Sequence, residues 1–171
     1  MSTITKLRSR LSVTGALTAA CLLQFASPSF AITTTSTFTA TIQLNATCVI
    51  ISTQTLTFPQ QGVLTADVPA QADIFVQCTN TTPFNIGLNA GTGTGATVAV
   101  RKLTSGGATV NYSLYTDGGH TTVWGNTVST DTVADTGDGT SKKYTVFGLV
   151  PTQTTPAPGT YTDTVTVTVT Y

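Results

Sequence analysis

The chain has 171 residues, seven Lys or Arg against seven Asp or Glu, and one His. Charged residues make up only 8% of it, which excludes the charge-rich composition of disordered segments and leaves no basic stripe for nucleic acid. Abundant Thr, Val and Gly suit pleated, half-buried strand surfaces instead.

The N-terminus has the layout of a secretory signal peptide. Lys6, Arg8 and Arg10 precede an apolar stretch from Leu11 to Phe25, and Ser29-Phe30-Ala31 places small residues before a cut after Ala31. That stretch is too short and too interrupted by Thr, Ser and Gly to span a bilayer core of ~30 Å comfortably. Residues 1–31 are therefore expected to leave on export, and Cys21 with them. The 140 residues that remain are the size of one domain, with Arg101, Lys102, Lys142 and Lys143 against seven Asp. Two cysteines are left, Cys48 and Cys78. An even count in an exported chain favours one disulfide, and a two-Cys metal site would lack partners, since His120 is the only histidine.

Period-2 alternation recurs along the rest, without a sustained helical pattern. Phe38, Ala40, Ile42, Leu44 and Ala46 alternate with Thr39, Thr41, Gln43 and Asn45. Cys48 to Ile51 continues extended, and Leu56-Thr57-Phe58 stops at Pro59. Ala72, Ile74, Val76 and Cys78 share one face, which points Cys78 inward. Phe84, Ile86 and Leu88 form the next alternating strand. The run Gly91-Thr92-Gly93-Thr94-Gly95 lacks the Lys and helix of a phosphate loop and reads as a flexible connection. Val98, Val100 and Leu103 lead to a turn at Ser105-Gly106-Gly107. Val110, Tyr112 and Leu114 then run to the turn Asp117-Gly118-Gly119, and Val123-Trp124 precedes Gly125-Asn126.

Residues 129–143 are polar, and Asp131, Asp135 and Asp138 do not follow a calcium-loop pattern; a solvated hairpin loop is expected there. Tyr144, Val146 and Leu149 resume the strand habit before the Pro-rich connection Pro151 to Gly159. The cleanest alternation comes last: Tyr161, Asp163, Val165, Val167, Val169 and Tyr171 on one face, Thr162 to Thr170 on the other, with Asp163 expected at the rim. Seven or eight short strands separated by turn signals predict a β-sandwich.

Candidate chemistry is sparse. Ser113, Asp117 and His120 lie close in sequence but share no triad motif, and every Asp sits in or near a turn, so an enzyme is not expected, nor any cofactor or metal. Three Asn sequons, at Asn45, Asn80 and Asn111, are what chance gives in a Thr-rich chain.

An ordered set of segments resembles the spore coat protein U family, which includes the archaic (Csu-type) chaperone–usher pilins. They are Phe38-Thr39-Ala40-Thr41-Ile42 leading to Cys48, Tyr112 to Asp117, Val123-Trp124-Gly125, and Gly159 to Tyr171. The resemblance implies an incomplete immunoglobulin-like sandwich of about seven strands, residues 48–171, preceded by a donor-strand extension, residues 32–47. It implies that Phe38, Ala40, Ile42 and Leu44 enter a groove on a neighbouring subunit, and that Val165, Val167 and Val169 line the groove. The partners it implies are identical or related pilin subunits, a periplasmic chaperone and an outer-membrane usher, with export to the cell surface as a pilus for adhesion and biofilm formation. From alternation alone, residues 37–46 fit equally an ordinary first strand of their own domain. A surface-coat component and a secreted carbohydrate-binding module, with Trp124, Tyr112 and Tyr115 as its aromatics, are the alternative readings.

Overall fold

The computed structural model describes residues 29–171; the expected signal peptide lies almost wholly outside the described residues. The chain divides into a unit ending at Thr41 and a second unit, Ile42–Tyr171. In the first, residues 29–41 form no strand. In the second, eight strands form and no helix, among the described residues: β1 (Cys48–Thr53), β2 (Val68–Cys78), β3 (Pro83–Leu88), β4 (Arg101–Ser105), β5 (Ala108–Tyr115), β6 (Val133–Thr136), β7 (Ser141–Val150) and β8 (Val167–Thr170).

The strands make two antiparallel sheets. One has the order β1-β2-β7-β5-β4, the other β6-β3-β8. The long central pair is β2 with β7, in unbroken register from Val68 opposite Val150 to Gln77 opposite Ser141. Alternation explains what each sheet buries. Ala72, Ile74, Val76 and Cys78 of β2 turn inward, as do Phe84, Ile86 and Leu88 of β3, while the residues between them, the buried Gly87 excepted, are more exposed. Trp124 completes this core, 1% exposed, with its indole N–H donated to the Ile86 carbonyl at 2.8 Å. Burying it in this way leaves neither Trp124 nor the equally buried Tyr112 available as a platform for sugar rings.

Cys48 and Cys78 form the expected disulfide, opposite each other where β1 meets β2. Just outside it the backbone of Thr47 is tied to Thr79: Thr79 N–H donates to the Thr47 carbonyl, and Thr47 N–H to the Thr79 hydroxyl.

Three expectations are corrected. Within residues 129–143, Val133–Thr136 pairs with Pro83–Ile86 as the edge strand β6, and Ser141 already begins β7. Residues 37–46 join no ladder among the described residues. Leu56-Thr57-Phe58 is not a strand either. The last segment pairs with β3 only from Val167 to Thr170, because β3 ends at Leu88, opposite Val167. Upstream, Thr162 instead bridges Thr104 of β4.

Candidate functional site: an open slot between the sheets

The slot's two walls come from the free edges of the two sheets. β8 is bonded to β3 on one side and has no ladder partner on the other, among the described residues. β1 is the corresponding edge of the larger sheet. Beyond β1 the chain stays near β2 for one residue, Gln54 N–H donating to the Asp73 carbonyl at 2.9 Å, then leaves the ladder. Leu56 and Phe58 lie over Gly148 of β7, where a Cβ would come within 2.6 Å of Leu56 and 3.0 Å of Phe58. The missing side chain at Gly148 is what lets this segment settle onto the sheet.

Between residues 54–58 and β8 the apolar interior is reached from outside. One cleft of about 290 Å³ is floored by Ile74, Leu88, Leu114 and Val146 and flanked by Leu56, Val165 and Val167. A second, of about 780 Å³, continues over Val68, Val110 and Val150 toward Tyr161 and the Pro156–Pro158 connection. Val165 and Val167, expected as groove lining, do border the slot, and all three of Val165, Val167 and Val169 pack on the core while only partly buried. Val169 lines neither cleft. The whole inward face of the last segment, Tyr161 to Val169, is half-buried at each alternate residue, whereas the inward faces of β2 and β3 are fully buried. A strand laid along it would remove that remaining apolar surface from water.

Asp163, expected at the rim, faces the slot. One carboxylate oxygen accepts the Tyr112 hydroxyl at 2.8 Å; the other accepts the Thr92 N–H at 2.7 Å, the Thr92 hydroxyl at 2.9 Å and its neighbour Thr164 N–H at 2.7 Å. Burial disfavours the charge, but these donors outweigh it and hold the carboxyl below the usual carboxylate range. Burial, with the bond to Asp163, pushes the Tyr112 hydroxyl well up. The Gly91–Gly95 run is thereby anchored through Thr92, not a free flexible loop.

Arg101 escapes a sequence reading that counts it among surface charges. It is fully buried, and its guanidinium donates to four carbonyls, those of Leu88, Asn89, Val98 and Trp124, at 2.7–2.9 Å. Burial lowers its pKa from the usual arginine value. Its local sequence, Val100 before it and Lys102 after it, carries no signal of burial.

The segment expected to act as donor lies upstream. Phe38, Ile42 and Leu44 are 92%, 83% and 81% exposed, three large apolar side chains in water on one alternating face with Ala40 between them. The candidate catalytic groups are engaged elsewhere: Ser113 donates to the Ala99 carbonyl at 2.6 Å, and the Asp117 carboxylate caps the Thr121 and Thr122 N–H groups. His120 stacks edge-on against Tyr115.

A family model for the Spore Coat Protein U domain matches residues 34–168. No curated protein matches the chain. Among solved structures, one match is a chain of the crystal structure of the CsuC–CsuE chaperone–tip adhesion subunit pre-assembly complex, from archaic chaperone-usher Csu pili of Acinetobacter baumannii. The identity is 26% and the TM-score 0.54, over 74% of this chain and 40% of that one. This chain thus spans well under half the length of that relative. The family match runs from the unpaired alternating segment to within three residues of the C-terminus, through every strand of the two-sheet sandwich, and the chain belongs to the Spore Coat Protein U domain family.

Proposed function

We propose that this protein is a structural subunit of a bacterial surface pilus built by the chaperone–usher route, without catalytic activity of its own. Its sandwich lacks one strand, and the slot between residues 54–58 and β8 is where that strand belongs. In the periplasm a chaperone strand occupies the slot; at the outer-membrane usher, residues 38–44 of the next subunit replace it, and the fibre reaches the cell surface by repetition.

The observation that carries this reading is the pairing of two unmet needs within one chain. β8 offers an unpaired edge above an open apolar slot, and an alternating apolar segment stands in water without a ladder. Each supplies what the other lacks, because an exposed sheet edge is satisfied by adding a strand. Burying Phe38, Ile42 and Leu44 at about 1.5–3 kcal/mol each, together with a new ladder, holds a joint without covalent links. A contact between different surfaces of identical subunits does not close on itself and so produces a filament. The similarity to a chain from Csu pili supports the same assembly route.

The test is substitution within the exported full chain. Ile42→Asp places a charge on the donor face and is expected to abolish the ladder of polymers that the unmodified chain should give on unheated denaturing gels, while the chaperone complex persists. A full ladder from Ile42→Asp would refute the reading.

A further inference from the structure

The slot is not uniform along its length. The two clefts share only Phe58 and Leu103, so the slot passes from one cleft to the other at these two bulky side chains, its waist. Phe58 is buttressed from behind: Tyr112 meets it edge-to-face with ring centroids 6.0 Å apart, and the Tyr112 hydroxyl is in turn held by Asp163. The waist is therefore braced by a hydrogen-bonded carboxylate, with an ionised group beside it. A donor side chain passing this point must be small, since a large one would either collide with Phe58 and Leu103 or bury the Asp163 carboxylate further.

The donor face has one small residue. Phe38, Ile42 and Leu44 are large, and Ala40 stands between them. We infer that Ala40 of one subunit sits at the Phe58–Leu103 waist of the next, opposite Asp163, and that this fit sets the register of the inserted strand. The inference rests on the strand-donation reading above.

Register and direction follow together. With Ala40 at the waist, Phe38 falls on one side, and Ile42 and Leu44 on the other. The clefts are unequal, about 290 Å³ beside Val165 and Val167 and about 780 Å³ toward Tyr161. One aromatic ring suits the smaller and two aliphatic side chains the larger. That assignment lays the donor antiparallel to β8, with Phe38 opposite Val165. Lengths agree: Phe38 to Leu44 is six residue steps, roughly 20 Å when extended, and in this register it faces the six steps from Val165 back to Gly159, which lines the larger cleft. A slip of two residues would drive Phe38 or Ile42 into the waist, so one alanine discriminates against both neighbouring registers.

Two measurements test this in the exported full chain. Ala40→Leu is expected to cut the polymer ladder at least tenfold, whereas Ala40→Gly leaves it. In the second, cysteines report register directly: copies carrying Phe38→Cys, oxidised with copies carrying Val165→Cys, should give a reducible dimer, and Ala40→Cys with Val165→Cys should not. Undiminished polymer from Ala40→Leu, a dimer through Ala40→Cys, or no dimer from either pair overturns the assigned register. Such a result with Ile42→Asp still blocking polymerisation overturns the waist alone; a full ladder from Ile42→Asp removes strand donation and the waist with it.

Discussion

At the scale of single residues, the chain spends its few charges on holding loops to the sandwich. Arg101 is the extreme case, its guanidinium serving as the common donor for four carbonyls from three separate segments. Replacing it by Met keeps much of the volume but strands those acceptors, each at about 1–3 kcal/mol where no water reaches. Arg101→Met is therefore expected to lower the unfolding free energy by several kcal/mol in urea melts, and Arg101→Lys to recover only part, because an ammonium cannot reach all four positions. Asp163 makes a pH-dependent contribution. Its carboxyl titrates lower in the folded chain than the usual unfolded value near 3.9, so the stability it confers is complete above that value and is lost as pH falls through the folded pKa. Thermal melts of the wild type from pH 6 down to pH 2 should show this acid loss. Asp163→Asn should melt lower at neutral pH and lose less on acidification; identical pH profiles would contradict the role given to the carboxylate. Neither residue's role was legible in advance. An Arg next to Lys102 reads as surface, and an Asp on an otherwise apolar face reads as a rim position, because most of the carbonyls that accept from Arg101 and the groups that donate to Asp163 lie distant in sequence, Thr92 being 71 residues from Asp163.

At the scale of elements, alternation was a reliable guide where a strand found a partner of its own length. β2, β3, β5 and β7 lie where the apolar period of two placed them. It failed wherever a partner decided the matter. β6 has only Val133 and Ala134 as apolar residues, too few to register, and exists because the β3 edge is there to receive it. Residues 161–166 alternate as cleanly as β8 itself yet fall outside the ladder, since β3 has ended. Residues 37–46 and 56–58 alternate but join no ladder among the described residues. Sequence periodicity reports which face is apolar, not who pairs with it. The elements bordering the slot have their own constraints. Gly148→Val should push Leu56 and Phe58 off the sheet, given the 2.6 Å and 3.0 Å approaches of even a Cβ. The expected result is a variant that folds less stably and accepts a donor poorly; wild-type stability and polymer yield would show that the segment rests elsewhere. The Cys48–Cys78 bridge, spanning 30 residues, confers roughly 3–4 kcal/mol in the chain-entropy picture. Cys48→Ala with Cys78→Ala should shift the urea midpoint accordingly, while wild-type melts in a reducing buffer approach the same value.

At the scale of the whole molecule, the body is a two-sheet sandwich whose interior is sealed on one side and open on the other. Its sealed side is built from the long β2–β7 pairing and the buried Trp124; its open side lies between two sheet edges, β1 and β8, that no ladder joins. An open slot this apolar is a standing invitation to aggregation in a free monomer, and a strand from outside turns that liability into a joint. The two alternating segments at opposite ends of the chain were legible in the sequence, while the open clefts beside the second of them required the coordinates. The most direct measurement is to supply the strand covalently. Moving residues 37–47 from the N-terminus to the end of the chain, through a short flexible linker after Tyr171, should yield a soluble monomer that melts well above the unmodified protein and no longer polymerises. A transplanted chain that melts no higher, or an unmodified chain that is already a stable monomer, would contradict the claim that the sandwich is one strand short.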